Sequence, residues 1–558
     1  MNQLIECVPN FSEGVNLAII KQITDEIETV DGVRLLNVDP GKATNRTVVT
    51  FVGEPSAVIQ AAFLAIKKAG ELIDMSKHKG EHPRMGATDV CPLIPIANMT
   101  MEETAEYAKQ LAKRVGEELQ IPAYLYEYAQ QDKSRSNLSI IRAGEYEGFF
   151  KKIKLPQWKP DFGPAENDVK RGATVIGARE FLIAYNVNLN TTSTRRANAI
   201  AFDVREAGRV MQENGKVVTD ENGKPKNIPG SLKSVKAIGW YIEEYGVAQI
   251  SMNLTNIEIT PIHIAFDEVC KKANERGIRV TGSELVGLIP LKAMLDAGKY
   301  FLRKQQRSVG VSEAELIKIA IKSMGLDELG PFNPRERIIE YLLQDGAASK
   351  LVGMTLTAFA DETASESPAP GGGSISAYMG ALGASLATMV ANLSSHKKGW
   401  DNRWEEFSKW AEQGQAYKDE LLKLVDLDTA AFNKIMEAFS LSKATDEEKI
   451  ARDKAIQDAT KYAIEIPFKV MQTAFESLTL IKAMVETGNP NSVTDAGVAA
   501  LCARSAVLGA FMNVKINASG YKDKIYTQDV ISKGNEIERK TIALEAEIIA
   551  LVNEKIGL

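Results

Sequence analysis

The sequence predicts a multidomain protein in which two ferredoxin-like α/β subdomains are followed by an all-α helical domain. Three observations support this fold class. A β-α-β-β-α-β order of elements occurs twice, breaks rich in Pro and Gly separate the parts, and almost no β-rich run follows Gly330. The chain has 558 residues, which suits several domains at roughly 150 residues each. We place the two subdomains, a linker and the helical domain at 1–178, 179–326, 327–334 and 335–558.

Hydrophobic periodicity predicts the elements of the first subdomain. Apolar and β-branched runs predict strands, and apolar spacing of three and four residues predicts helices. The strands are 4–8, 33–38, 47–51, 91–96 and 123–126, and the helices are 16–29, 55–74 and 101–119. The segment 155–167 contains three prolines and a glycine, so it predicts a break.

The same patterns predict the second subdomain. Its strands are 181–189, 235–244, 247–255 and 278–285, and its helices are 191–209 and 261–276. Pro261 is expected at the first helical position, where a missing N–H costs no hydrogen bond. The segment 325–336 is the second break.

The helical domain is predicted from a series of long periodic segments. These are 335–350, 374–394, 400–439, 446–484, 491–513 and 534–555. No charged residue lies between Gly371 and Ser395, but the large apolar residues there recur at helical steps and small residues occupy the other face. A lipid-facing helix would be apolar all round, so we expect a bundle helix and no membrane span.

Composition and charge exclude several classes of protein. Hydrophobic residues make up 44% and charged residues 25%, and the net charge is −6, so a disordered chain or a general nucleic-acid binder is not expected. The four cysteines are far apart and form no CxxC pair, which indicates free thiols in a reducing compartment. The first residues lack a basic and an apolar signal region, so we expect a cytoplasmic protein.

The loop KHKGEHPRMGATDVCP (77–92) is the densest functional signal. It contains His78 and His82 among charged residues, and histidine can accept and return a proton near neutral pH. A solvated polar loop is the alternative. A zinc site would need both histidines on a helix, which Gly80 and Pro83 break.

Carboxylates and glycines supply further candidates. Asp39 and Arg46 lie where one predicted strand ends and the next begins. There Asp39 can orient an imidazole, and Arg46 can hold a carboxylate. The alternative is that the two residues only stabilise the turn and form a surface ion pair. ESPAPGGGS (366–374) leads into a helix N-terminus, which favours an anion. Asp426 and Asp428 point to different faces of a helix, so only one can face a site.

Several long motifs resemble known enzyme modules. Four motifs resemble segments of the formiminotransferase module: CVPNFSEG (7–14), HKGEHPRMGATDVCPLIP (78–95), PDFGP (160–164) and GATVIGAREFLIAYNVNL (172–189). Three further motifs resemble segments of the cyclodeaminase module: SPAPGGGSISA (367–377), DLDTAAF (426–432) and NVKIN (513–517). The whole chain therefore resembles the bifunctional formimidoyltransferase-cyclodeaminase family.

The resemblance implies two reactions and their site residues. The first module would move a formimino group from N-formimino-L-glutamate to N5 of tetrahydrofolate, with His82 as acid/base residue. The second would close the ring to 5,10-methenyltetrahydrofolate and release ammonia, with Asp428 as catalytic aspartate. Ser374 and Gly372 would be contacts, and Glu366 and Asp495 are secondary carboxylates. The implied folate-binding segment is Gly163, Pro164, Ala165, Glu166, Asn167, Asp168, Val169, Lys170, Arg171 and Gly172.

The resemblance also implies partners. The co-substrate would be tetrahydrofolate, and the chain would form a homo-oligomer, an octamer. The fusion of two modules and the basic loops favour a polyglutamylated folate. No metal is expected, since the one-carbon unit is already at the formate oxidation level. Basic residues in the His82 loop and the run KKIK (151–154) are candidates for binding folate carboxylates, a solvated charge run being the alternative. Two other readings of the helical domain stay open: a methenyltetrahydrofolate cyclohydrolase-like enzyme, or a module that only assembles transferase subunits.

Overall fold

The computed structural model describes residues 3–557 except 43, 81, 167, 214–215, 222 and 345–350. The chain forms two compact units. The first contains Met1–Ala297 and Ile321–Leu343, and the second contains Gly298–Ala320 and Gln344–Leu558. The first unit holds both α/β subdomains and the second holds the long helices.

The first subdomain is built on a seven-stranded sheet. Four strands in the order β3-β4-β1-β5 are antiparallel neighbours, as in a ferredoxin-like fold, and β7 and β6 extend them with parallel pairing. The strands are β1 Leu4–Cys7, β2 Asn10–Phe11, β3 Val33–Gly41, β4 Arg46–Gly53, β5 Thr88–Ala97, β6 Ala123–Glu127 and β7 Thr174–Ala178. The helices are α1 Leu17–Glu28, α2 Pro55–Leu72, α3 Met101–Glu118, α4 Leu138–Arg142 and α5 Glu145–Lys152.

The second subdomain has a four-stranded antiparallel sheet in the order β13-β14-β8-β15. Its main elements are β8 Ile183–Leu189, α6 Thr194–Val204, β13 Val235–Ile242, β14 Val247–Leu254, α7 Ile262–Asn274 and β15 Val280–Val286. Four short strands lie between α6 and β13: β9 Arg209–Val210, β10 Gln212–Glu213, β11 Lys216–Val217 and β12 Asn227–Ile228. The helices α8 Leu291–Lys304, α9 Glu313–Met324, α10 Pro334–Arg337 and α11 Ile339–Gln344 follow.

Long helices form the rest of the second unit. They are α12 Leu356–Thr363, α13 Gly372–Ser395, α14 Trp404–Ser440, α15 Asp446–Thr487, α16 Val493–Ser519 and α17 Lys524–Ile556. The small face of α13 is the buried one, and Ala381, Ala384 and Ala387 have almost no exposed surface. Small side chains let neighbouring helices approach closely, so this face forms the core.

Several large apolar residues of α13 lie on its other face, whereas Val390 is buried with the small residues. Leu382, Met389 and Leu393 are 43%, 38% and 46% exposed. Two helical stretches in the described part of the chain, Gly372–Ser395 and Pro490–Ser519, are long and apolar enough to cross a membrane, and about half or more of each hydrophobic window is buried.

The predicted fold class is confirmed, with several local corrections. The elements not predicted from the sequence are β2, β7, the short helices α4 and α5, the short strands β9–β12 and helices α8, α9 and α12. Pro261 is the N-cap of α7 and not its first residue, and α17 begins at Lys524, ten residues before the predicted start at 534. The predicted helix 335–350 is divided between α10 and α11, and its residues 345–350 lie outside the described part.

Candidate active sites

The loop between α2 and β5 carries His82 and is fixed by Asn45. The Asn45 side chain accepts a hydrogen bond from Gly14 N–H at 2.9 Å and donates to the Lys79 carbonyl at 2.8 Å. Gly80 lies against the Thr44 carbonyl, where a Cβ would come within 2.3 Å of the oxygen. Only glycine fits this close approach. The turn before β4 therefore holds the loop in place.

Two arginines and a buried aspartate surround the imidazole. Arg46 Nη1 lies 2.6 Å from His82 Nδ1 and donates to Asp89 Oδ2 at 2.9 Å. Arg142, at the end of α4, pairs with the same Asp89 oxygen at 2.9 Å. The side-chain oxygen Oδ1 of Asn10 accepts from Arg46 Nε at 3.0 Å and from Nη2 at 2.7 Å. Two cations against one fully buried carboxylate leave a local excess of positive charge.

This environment favours a neutral imidazole. Burial first, and then the charges of Arg46 and Arg142, lower the pKa of His82 well below its ordinary value. Nδ1 also lies 2.8 Å from the Pro83 carbonyl, so a proton on Nδ1 can be donated there. Arg46 Nη1, which can only donate, lies 2.6 Å from Nδ1 and 3.3 Å from Nε2, so these contacts admit either tautomer, and in both the neutral ring keeps one nitrogen lone pair. The arrangement can accept a proton at neutral pH.

The structure brings Arg46, but not Asp39, to the imidazole. The Asp39 carboxylate accepts a hydrogen bond from Gly287 N–H at 2.9 Å and lies 3.8 Å from Arg337 Nη1. The hypothesis that Asp39 orients the imidazole is therefore not supported by its contacts. Arg46 does hold a carboxylate, but it is that of Asp89.

The predicted folate-binding segment borders the His82 loop at one end. Gly172 has a positive φ of 70°, and a Cβ there would lie 2.2 Å from the Met85 carbonyl. At the other end, Gly163 has a φ of 85° and packs against the residues after α3. Left-handed backbone and close approach explain both glycines.

The residues between these glycines are mostly engaged with the protein or exposed. Arg171 pairs with Asp168 and donates to the Leu119 carbonyl, Lys170 donates to the Glu71 carbonyl, and the Val169 carbonyl accepts from Tyr146. Ala165 and Glu166 are exposed and Pro164 is half-buried. Asn167 lies outside the described residues. The role of this segment in binding folate stays a prediction.

In the helical unit, Asp428 lies against the start of α13. The Ser374 hydroxyl lies 3.1 Å from Asp428 Oδ2, 3.0 Å from the Val425 carbonyl and 3.2 Å from Thr429 Oγ1. A Cβ on Gly373 would come within 2.2 Å of Asp428 Oδ1. Burial raises the pKa of Asp428, and hydrogen bonds from Ser374 oppose that effect. A carboxyl of this kind can carry a proton closer to neutral pH than an exposed aspartate.

The other candidates of this unit have different places. Asp426 Oδ1 accepts a hydrogen bond from Leu351 N–H at 3.0 Å, whereas Asp428 contacts Ser374. A Cβ placed on Gly372 would lie 3.4 Å from the side-chain amide nitrogen of Asn513. Glu366 is exposed. Asp495 is in the first turn of α16, about 27 Å from Asn513 along the helix at 1.5 Å per residue.

Several site residues carried too little sequence signal to be chosen. Arg142 belongs to a five-residue helix without a periodic pattern, and it meets Asp89 from 53 positions away. Asn10 and Gly373 fell within motifs quoted above, but nothing singled out their side chain or its absence. Within the described residues, no group of three His, Cys, Asp or Glu side chains could hold a metal ion.

Comparisons with known proteins agree with this arrangement. Family models match for the formiminotransferase domain, N-terminal subdomain (residues 4–179), the formiminotransferase domain (184–344) and formiminotransferase-cyclodeaminase (355–536). The chain is 43% identical over 529 residues to formimidoyltransferase-cyclodeaminase of Mus musculus, covering 95% of each chain. It is 42% identical over 556 residues to that of Gallus gallus, covering 100% of both.

A shorter relative matches about a third of the chain. Methenyltetrahydrofolate cyclohydrolase of Methylorubrum extorquens is 34% identical over 203 residues, which are 36% of this chain and 98% of that protein. The full-length matches cover both units, and the three family models lie in order along the chain. The chain therefore belongs to the formimidoyltransferase-cyclodeaminase family.

Proposed function

We propose that this protein transfers the formimino group of N-formimino-L-glutamate to tetrahydrofolate and then cyclises the product to 5,10-methenyltetrahydrofolate with release of ammonia. The observation that carries the proposal is a His82 flanked by Arg46 and Arg142 in one unit and, in the other, a half-buried Asp428 held against the start of α13. Relatives of full length carry the name of this two-step enzyme.

In the first reaction His82 acts as a general base. N5 of tetrahydrofolate attacks the formimino carbon, His82 takes the N5 proton, and the same proton is returned to the departing amine of glutamate. A depressed pKa keeps the imidazole neutral and ready to accept. The excess positive charge of Arg46 and Arg142 over Asp89 suits a substrate that carries carboxylates.

In the second reaction Asp428 handles the proton of ring closure. N10 attacks the formimino carbon on N5, the bond from that carbon to the terminal nitrogen breaks, and ammonia leaves. The formimino nitrogen, which enters protonated, needs one more proton to leave as ammonia, and a carboxyl whose pKa is raised by burial can supply it. The resulting carboxylate then takes the proton that N10 loses on ring closure. The α13 N-terminus beside it favours the negative charge that remains on Asp428.

The remaining parts of the proposal concern partners and place. We propose that residues 1–326 and 335–558 contain the two catalytic modules, that the folate is polyglutamylated, that segment 163–172 contacts it, and that neither step uses a metal. We also propose a homo-oligomer, an octamer, which the exposed apolar residues of α13 support. A cytoplasmic location fits four free cysteines.

A coupled assay tests the proposal. Purified protein, tetrahydrofolate and N-formimino-L-glutamate should yield glutamate, ammonia and the absorbance of methenyltetrahydrofolate together. His82→Ala should abolish all three, because the first step lacks its base. The same variant should still release ammonia from supplied 5-formiminotetrahydrofolate. Asp428→Asn should show the opposite pattern, with glutamate formed and ammonia lost.

The assay also separates the alternatives for the helical unit. Conversion of methenyltetrahydrofolate to the formyl form, without ammonia from the formimino form, would favour the cyclohydrolase reading, which the relative in Methylorubrum extorquens supports. Normal cyclisation by Asp428→Asn would contradict a catalytic role for that carboxyl. Failure of the wild-type protein to release glutamate would contradict the transferase.

A further inference from the structure

One lysine of the KKIK run is not a solvated charge. Lys151 and Lys154 are exposed, whereas Lys152, the last residue of α5, is half-buried with its ammonium 3.9 Å from the centre of the Trp158 ring. Its Nζ donates to the carbonyls of Ile140 and Ile141 at 2.7 Å and of Ala143 at 3.1 Å. An ammonium has three donors, and three carbonyls receive them.

These three carbonyls form the C-terminal end of α4. The last carbonyls of a helix have no partner within it, and a cation near that end is favourable. A five-residue helix is too short to be stable without such contacts. Arg142 is the last residue of α4, between two of the residues whose carbonyls Lys152 holds. Lys152 thus fixes the backbone on both sides of Arg142.

Arg142 connects this end of α4 to the imidazole site. Its Nη2 lies 2.9 Å from Asp89 Oδ2, the oxygen that also accepts from Arg46. We propose that Lys152 is a positioning residue of the transferase site, which holds Arg142 against Asp89 beside His82. This inference rests on the proposed transferase function. The Ile141 side chain is also buried, so loss of Lys152 should let Arg142 move without unfolding α4 completely.

The consequence is measurable at His82. The charged groups that face His82 are Arg46 from β4 and Arg142 from α4; Asp89 lies between the two arginines, and Tyr126 faces Arg46. Displacement of Arg142 removes one cation from this set. The neutral imidazole is the base, so a weaker cationic field should move the acidic limb of the transferase rate towards higher pH.

The test compares Lys152→Met with Lys152→Arg, Arg142→Met and the double variant. For Lys152→Met we expect the midpoint pH of the acidic limb of kcat/KM to increase by about half to one pH unit. The rate at acidic pH should then fall about three- to tenfold, while the alkaline plateau changes less. Lys152→Arg should restore most of the profile. The double variant should match Arg142→Met, because Lys152 acts through Arg142. Lys159→Met is the matched control: Lys159 is exposed next to Trp158.

Other outcomes would overturn the proposal. If Lys152→Met loses transferase activity equally at every pH and the midpoint of the acidic limb does not move, Lys152 has only a structural role. If the losses of activity of the two single variants add in the double variant, Lys152 does not act through Arg142. Thermal unfolding followed by circular dichroism reports whether each variant is folded. Titration of the His82 imidazole by NMR, assigned with His82→Ala among the four histidines, tests the link even if the wild type proves inactive as a transferase. An unchanged imidazole pKa in Lys152→Met would contradict it.

Discussion

At the residue scale, the charges around His82 set the pH range in which it can act. Burial and two arginines lower its folded-state pKa below the ordinary value near 6.5, so the neutral base persists to lower pH than in a solvated histidine. We therefore predict that kcat/KM for glutamate release stays on its plateau down through about pH 6.5 and falls only below it. A pH profile of the wild-type protein measures this.

The cyclodeaminase rate of the same protein is the internal control, since it does not use His82. A transferase limb centred at or above the ordinary histidine value would show that the arginines do not act on the ring. A rate that rises as pH falls would mean that the protonated ring is the active form. The first result would contradict the lowered pKa of His82, and the second would contradict its role as the base.

Part of this site could be predicted from the sequence. His82 and Arg46 could be predicted because a histidine-rich loop and a strand end are local features, and Arg46 does meet His82. Asp39 was placed there by the same logic, but its carboxylate meets Gly287, which is distant in sequence. Arg142 could not be predicted, because its role depends on where a short helix packs and not on its neighbours in sequence.

At the scale of elements, the approach of α13 to α14 places Asp428. We predict that Gly373→Ala lowers cyclodeaminase activity at least about tenfold, because a Cβ would lie 2.2 Å from Asp428 Oδ1 and must displace either that carboxylate or the start of α13. Glutamate release should be unchanged. Ammonia release from supplied 5-formiminotetrahydrofolate measures the loss.

Gly520→Ala is the control for this change, since its nearest atom would be 3.9 Å away and it lies in the same unit. Wild-type cyclisation by Gly373→Ala would mean that Asp428 does not need its present position.

Long helices such as α13 and α15 could be predicted from their periodicity. Strands β9–β12 could not, because a strand of two residues contains too few side chains to show a pattern.

At the scale of the whole molecule, an exposed apolar face supports self-association. Leu382, Met389 and Leu393 follow one side of α13 and are more than a third exposed, whereas the small residues on the opposite side form the core. Contiguous apolar surface of this kind marks interaction sites. A second copy of the chain is the occupant we propose, because homo-oligomers with matching faces are the commonest assemblies.

We predict that the wild-type protein is larger than one chain in solution and that Leu382→Asp combined with Leu393→Asp reduces its mass, because a carboxylate buried in an interface must lose its hydration. Light scattering after size exclusion measures both masses. Ile525→Asp is the control, since Ile525 is 83% exposed at the start of α17 and away from the α13 face. If the double variant keeps the wild-type mass, the α13 face is not the contact. If the wild type has the mass of a single chain, the protein does not assemble at all.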